Sequence, residues 1–388
     1  MLNQPKTRRL LFQIALLVAV CLLIGYFWHN TASNLGRLGQ GIDFAFLANP
    51  AGFPIDQSLI AYDQGDSYWR VFLVGILNTL LVSALAVVSA TLIGTLVGIL
   101  RLSPNWLIQK MMAIFVEVFR NIPLLLQLFF WYFAVLAVLP PPRTSTWVLG
   151  CDEGKSCLAV LNNRGLSVVA PHGDSLFYTT LALAGAGIIA SLVLARLNRA
   201  RQQRTGERWP LGWLYPLLIV ALPVAFYLLR MTPENYHLPT LKGFNYQGGI
   251  TALPELAALW LALTLYSAAY IAEYVRAGIQ SVPRGQYEAA ASVGLSAAQV
   301  MRLVILPQAL RIIVPPLTNQ YLNIVKNSSL ATAIAYPDLV SVFTGTSLNQ
   351  TGRAIEIITL TMAVYLLISL AISLLMNLYH HRIRLVEK

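Results

Sequence analysis

Eight stretches of this chain are almost wholly apolar for about 20 residues or more, at 10–28, 71–100, 119–139, 175–195, 210–229, 252–272, 311–333 and 355–378. A hydrocarbon layer about 30 Å thick takes about 20 residues of α-helix to cross. Inside it each backbone N–H and C=O must be satisfied within the segment. The runs therefore predict an all-α polytopic membrane protein with about eight transmembrane helices. Composition agrees, with 57% hydrophobic and 11% charged residues, where a soluble chain carries about 25% charged. Disorder, collagen-like repeats and a disulfide scaffold are excluded.

The net charge of +11 would suit nucleic acid if it formed one surface, but it is dispersed beside the apolar runs. Lys6, Arg8 and Arg9 precede the first run. Arg196, Arg199, Arg201, Arg204 and Arg208, with Glu207, carry +4 between the fourth and fifth, and Arg382, Arg384, Glu387 and Lys388 leave +2 after the last. Basic residues beside spans resist translocation, so these clusters predict a cytoplasmic side that holds both termini. Residues 29–70 then face outward with Arg37, Asp43, Asp56, Asp63, Asp66 and Arg70, a balance of −2, as does the loop 140–174, where Arg143, Asp152, Glu153, Lys155, Arg164 and Asp174 cancel. The first run lacks a small-residue cleavage pattern and is longer than a signal-peptide core, so it reads as a retained helix. Trp28, Trp69, Trp147 and Trp209 stand near span ends, where indoles anchor at the interface. Nucleic acid is not an expected partner; membrane lipid is.

Cys21 lies in the first span as a small apolar side chain. Cys151 and Cys157 flank the polar turn Asp152-Glu153-Gly154-Lys155-Ser156 in the outward loop. There they form a disulfide or stand as two thiols; with no histidine beside them they make a poor metal site.

Residues 273–311 are too polar to span and fall on the basic side. They read as two short helices. Ser281 and Pro283 signal a start, Tyr287-Glu288-Ala289-Ala290-Ala291 favours helix, and Gly294 suits the left-handed residue that ends one. Ser296 and Gln299 then make a capping box, Leu295 and Val300 a hydrophobic staple, and Pro307 is expected to stop the second helix. On these grounds the loop is a rigid helix–turn–helix, which is also what an ordered connector would be.

The spelling says more. Glu288-Ala289-Ala290, Gly294 and Val304-Ile305-Leu306-Pro307 resemble the EAA signature of permease subunits of ATP-binding-cassette importers, with the family's spacing kept and Val304 in place of one isoleucine. Gly75…Asn78-Thr79-Leu80, Glu117…Arg120-Asn121-Ile122-Pro123-Leu124-Leu125…Gln127, Ala272-Glu273-Tyr274-Val275-Arg276-Ala277-Gly278-Ile279-Gln280-Ser281-Val282-Pro283 and Lys326-Asn327-Ser328-Ser329-Leu330 look like its polar amino acid branch. The matches cover 71–139 and 252–380, about half of the chain, and supply the five helices of a type I importer permease core. The rest is similar to the larger permeases of general L-amino acid importers. The resemblance implies four parts: 1–70, an N-terminal span and outward loop; 71–139, the first part of the core; 140–250, an insert of periplasmic loop, two spans and a basic cytoplasmic loop; and 251–388, the second part with the coupling loop 273–311.

It further implies a bacterial inner-membrane subunit that lets L-amino acids through, of polar or broad range. Glu288, Ala289, Ala290, Gly294, Leu306 and Pro307 would engage a cytoplasmic ATPase. The expected partners are two ATPase subunits, which bind ATP and Mg, a second permease chain, related but different, and a periplasmic amino-acid-binding protein. No cofactor is expected on this chain.

The seventh span carries a polar stripe. Asn319, Asn323, Lys326 and Asn327 fall on one helical face, opposite Leu317, Tyr321, Ile324 and Val325. Polar groups at such depth normally face a bundle interior or a water-filled cavity, so the stripe is a candidate lining of the substrate path, with Lys326 offering a cation to a carboxylate. Alternatively Lys326 snorkels outward or pairs with Glu356 or another carboxylate. Asn78 is a weaker path candidate; with Thr79 and Ser83 it also suits helix packing. Gly94 and Gly98 have the spacing of close helix approach, and Glu117 and Arg120 that of an intrahelical ion pair.

No G-x-x-x-x-G-K-S/T loop, H-E-x-x-H pair or plausible catalytic or metal cluster occurs among the five histidines, so the chain is not expected to be an enzyme. The rival reading is an ATP-independent carrier or channel for small polar solutes. Such carriers often show repeated halves around a midplane ion site, and no clear repeat is visible. A scaffold without a transport path would leave the stripe unexplained.

Overall fold

A computed structural model describes residues 5–37, 43–145, 147–151, 157–171, 175–207, 209–230 and 236–383. Asp152, Glu153, Gly154, Lys155, Ser156, Asp174, Arg208, Arg384, Glu387 and Lys388, and the side chains of Lys6, Arg8, Arg9, Trp28, Arg37, Trp147 and Arg382, lie outside the described ones.

The helices are α1 (Pro5–Arg37), α2 (Tyr68–Leu100), α3 (Trp106–Asn121), α4 (Leu124–Phe129), α5 (Ser175–Thr205), α6 (Leu214–Pro216), α7 (Leu222–Arg230), α8 (Pro254–Gln280), α9 (Arg284–Ser292), α10 (Ala297–Gln299), α11 (Leu306–Asn327), α12 (Leu348–Thr351) and α13 (Ala354–Ile383). Several are joined by π-helical or 3-10 segments. Among the described residues seven helices are long and apolar enough to cross a membrane, or eight if one bent pair counts as a span.

That pair corrects the expected span at 119–139. It is two helices, Trp106–Asn121 and Leu124–Leu136, meeting at 103°. Pro123 has no N–H to continue the ladder, and a residue before proline is driven from the helical region; Ile122 accordingly has φ −90° and ψ 126°. The carbonyls left open at the end of α3 are met by Gln127, whose buried Nε2 donates to Phe119 O and Ile122 O, both at 2.9 Å. The proline makes the break and the glutamine closes it.

Three further corrections concern the loop 273–311. Its first eight residues, 273–280, are the last two turns of α8. Ser281 does not start the next helix: its hydroxyl donates to Gly278 O at 2.7 Å and closes α8, while Pro283 stands at the head of α9 without a side-chain cap. Pro307 does not stop the second helix either. It lies in the first turn of α11, directly after the π-helical stretch Val300–Ile305. The proline follows a π-helical turn, where the hydrogen-bond ladder changes register, and a residue without an N–H is carried there inside a continuing helix. The helical run is continuous from Ala297 to Ile334.

The insert also holds strands that an all-helical expectation omits. β1 (Trp147–Leu149), β2 (Ala159–Asn162), β3 (Gly165–Val168) and β8 (Ile250–Ala252) form one antiparallel sheet; β4 (Ala170–Pro171) pairs with β5 (Tyr236–His237), and β6 (Thr240–Lys242) with β7 (Asn245–Gln247). The β2–β3 hairpin turns at Asn163-Arg164, with Asn162 Oδ1 accepting from Arg164 N at 2.8 Å.

Contacts divide the chain into two compact units, residues 1–84 with 282–388, and residues 85–281. In the first, Phe46, Tyr68, Val71, Phe72, Leu339, Val342, Phe343 and Ile357 form the core. Its α2 segment is pinned by the Gly75…Asn78-Thr79 motif. A Cβ on Gly75 would stand 2.8 Å from Leu339 Cα, and Thr79 Oγ1 accepts from Leu339 N at 3.1 Å. In the second unit α2 and α8 meet through Gly94 and Gly98, where an added Cβ would lie 2.7 Å from Ile271 Cβ and from Ala272 O respectively. Val97, Val116 and Ala272 are buried beside that seam.

Candidate functional site

The segment after α8 folds into a braced elbow. Gly294 takes φ +80°, the left-handed conformation that costs an L side chain roughly 1–2 kcal/mol. Gly294 N donates to Ala291 O at 3.0 Å and Leu295 N to Ala290 O at 3.3 Å. This pair of bonds satisfies the open carbonyls at a helix end. The chain re-enters helix at once. Ser296 N donates to Gln299 Oε1 at 2.8 Å, and Gln299 N to Ser296 Oγ at 3.4 Å, completing the capping box.

Behind the bend α9 packs on the Val300–Ile305 stretch, in which Val300 and Ile305 are buried. Gln308 Nε2 also donates to Gln286 Oε1 at 3.1 Å. Ala290 faces inward at 6% exposure and Leu306 and Pro307 are half-buried, whereas Glu288, Ala289 and Gly294 are exposed. The six candidates thus divide into a surface set and a supporting set. Between them stands Val293, which sequence reasoning missed, an apolar side chain 74% exposed at the bend.

Along the same helical run the polar stripe is open. Asn319, Asn323 and Lys326 are exposed and Asn327 half-buried, while Gln320, Ile324 and Val325 turn into the chain's own core. Lys326 forms no ion pair among the described residues. Glu356 does not serve it: that carboxylate accepts from Asp43 N at 3.0 Å and lies 3.6 Å from Arg353 Nη1. Beyond Asn327 the helix tightens to 3-10 geometry over Ser328–Ile334, and Ser328 and Ser329 hydroxyls donate back to Val325 O and Lys326 O, both at 2.7 Å.

Asn78 does not join this face. It is fully buried, and its Nδ2 donates to Gln57 O and Pro337 O, both at 2.8 Å, so it is a strut that ties two loops to α2. Glu117 and Arg120 do not pair either. Glu117 accepts from Asn121 Nδ2 at 3.2 Å, and the Arg120 guanidinium sits 5.1 Å from the Tyr270 ring centroid, a cation–π arrangement. Glu273 instead anchors a network with Arg101 and Arg276, which the resemblance flagged by letter without indicating its partners. Cys151 and Cys157 are joined by a disulfide, and Cys157 N donates to Pro239 O at 3.0 Å.

Residues 209–385 match the family described as binding-protein-dependent transport system inner membrane component. The whole chain is similar to curated proteins. It is 54% identical over 388 residues to the putative amino-acid ABC transporter permease protein YhdX of Escherichia coli, covering 99% of this chain and 96% of that one. To the general L-amino acid transport system permease protein AapQ of Rhizobium johnstonii it is 48% identical, covering 99% and 94%. To the glutamate/glutamine/aspartate/asparagine transport system permease protein BztB of Rhodobacter capsulatus it is 41% identical, covering 97% and 94%. At this coverage the likeness runs through the insert 140–250 as well as the core. The chain belongs to the family of inner-membrane permease components of binding-protein-dependent ABC transporters, in its amino-acid branch, as a membrane-spanning translocation subunit whose ATPase is a separate subunit.

Proposed function

We propose that this chain is one of two related permease subunits through which an ATP-driven importer passes L-amino acids of polar or broad range. Two ATPase subunits, carrying ATP and Mg, engage the elbow at Glu288, Ala289, Val293 and Gly294, and a periplasmic binding protein delivers the solute. This chain holds no cofactor. Both termini lie in the cytoplasm, on the side of the basic clusters.

The observation that carries the reading is the continuity of the elbow with the polar face. The helical run from Ala297 to Ile334 starts at the capping box and contains Asn319, Asn323 and Lys326. A push on the braced elbow therefore moves the exposed stripe with it. That stripe is open in the isolated chain, and a polar helix face in hydrocarbon needs a partner or water; a second permease chain closing around a path supplies both. The names of the full-length relatives support the substrate class.

Co-purification from mild detergent tests the assembly. The tagged chain is expected to bring a second permease and an ATPase with a P-loop. Glu288→Arg, on an exposed position, is expected to lose the ATPase and keep the permease partner. Solute uptake by this chain alone in liposomes, without ATP, would overturn the reading in favour of a carrier.

A further inference from the structure

Where α2 ends, α3 begins and α8 finishes, a cavity of about 340 Å³ opens to the surface, lined by Arg101, Trp106, Gln109, Lys110, Arg276 and Gln280. Three of these are cations and one carboxylate, Glu273, answers them. Each Arg276 nitrogen donates within the chain: Nε and Nη2 to Glu273, and Nη1 to Gln280 Oε1 at 2.5 Å. Arg101 spends only Nη1 on Glu273, and its side chain is 14% exposed. Lys110 is exposed and forms no ion pair among the described residues. The cavity therefore holds unspent donors on a guanidinium and an ammonium, converging from the turn after α2 and from α3, with an excess of positive charge.

Such donors suit a phosphate, whose several oxygens accept from both at once. The surroundings narrow the source. Trp106 is 71% exposed at the rim, and from there Leu107, Met111, Ile114 and Val118, spaced as one face of α3, are 57%, 54%, 55% and 44% exposed. An apolar strip leading from a cationic cavity at a helix end is the shape of a phospholipid, head and chains. We infer that this cavity binds the phosphate of an anionic phospholipid, with Arg101 and Lys110 on the headgroup and the acyl chains along Leu107, Met111 and Ile114.

The test uses the assembled transporter, equilibrated with equal phosphatidylglycerol and phosphatidylcholine, and native mass spectrometry of the lipid retained. Wild type is expected to retain phosphatidylglycerol in preference. Lys110→Gln, which breaks no ion pair among the described residues, is expected to cut that preference about tenfold or more, the size of one hydrogen bond to a charged group; Lys110→Arg is expected to keep it. Equal retention of both lipids by wild type and Lys110→Gln overturns the inference. Binding of inorganic phosphate that depends on Lys110, without any lipid preference, overturns the lipid assignment and gives the cavity to the free anion.

Discussion

Gly294 and Gly98 show how one residue type serves two ends. At Gly294 there is nothing within 4 Å of an added Cβ, and only the backbone, at φ +80°, asks for glycine. At Gly98 the backbone is ordinary helix, but a Cβ would meet Ala272 O at 2.7 Å. Gly294→Ala therefore costs roughly 1–2 kcal/mol of local conformational strain and leaves helix packing untouched. Gly98→Leu forces α2 from α8. In thermal unfolding of the purified transporter, Gly98→Leu is expected to lower the apparent Tm by several degrees. Gly294→Ala is expected to leave Tm close to wild type and to weaken solute-stimulated ATP hydrolysis. An unchanged ATPase response in Gly294→Ala would remove the elbow's shape from the coupling step.

At the scale of elements, three prolines that read alike in the sequence behave differently. Pro123 breaks its helix by 103°, Pro283 heads a new one, and Pro307 lies in a run that continues through it. The difference is in what meets the freed backbone groups. After Pro123 the side chain of Gln127 turns back onto two carbonyls of α3, so the bend is a closed structure. Gln127→Leu keeps the volume but takes the donor from both carbonyls, at up to about 1–3 kcal/mol for each one that water does not reach. The expected result is a lower apparent Tm, with faster amide exchange in residues 119–127 than in α8; wild-type exchange there would show that the bend holds itself.

The apolar runs, the left-handed glycine and the capping box were legible because each is a local signal of one residue type at a fixed spacing. Pro307's tolerance was not, since it depends on a π-helical stretch whose apolar residues look like any helix. The strands of the insert were missed because all those described are only two to four residues long, too short for alternation, although Asn162-Asn163-Arg164-Gly165 carried a turn signal. Among site residues, spacing placed Asn319, Asn323 and Lys326 on one face. It could not tell that face from the buried one that holds Asn78, because both read as polar groups in an apolar run.

For the whole molecule, the open stripe sets a condition that one chain cannot meet alone. A lysine at mid-bilayer costs about 2.5–3.5 kcal/mol on insertion scales, and Lys326 is exposed with no ion-pair partner among the described residues. The charge is carried at a cost to the isolated chain, so its benefit must arise in the assembly. On the proposed reading it meets the α-carboxylate, which every L-amino acid bears, rather than a side chain. Lys326→Met is therefore expected to insert and assemble as well as wild type or better, since the desolvation penalty is gone. Uptake in proteoliposomes is expected to fall about tenfold or more for acidic, amide and neutral amino acids alike, the loss of one charge-assisted contact in a water-poor site, with Lys326→Arg retaining part of it. A loss confined to acidic substrates would move Lys326 from the shared carboxylate to side-chain selection. Full uptake of all three classes would take the stripe out of the path and leave it as a permease–permease contact.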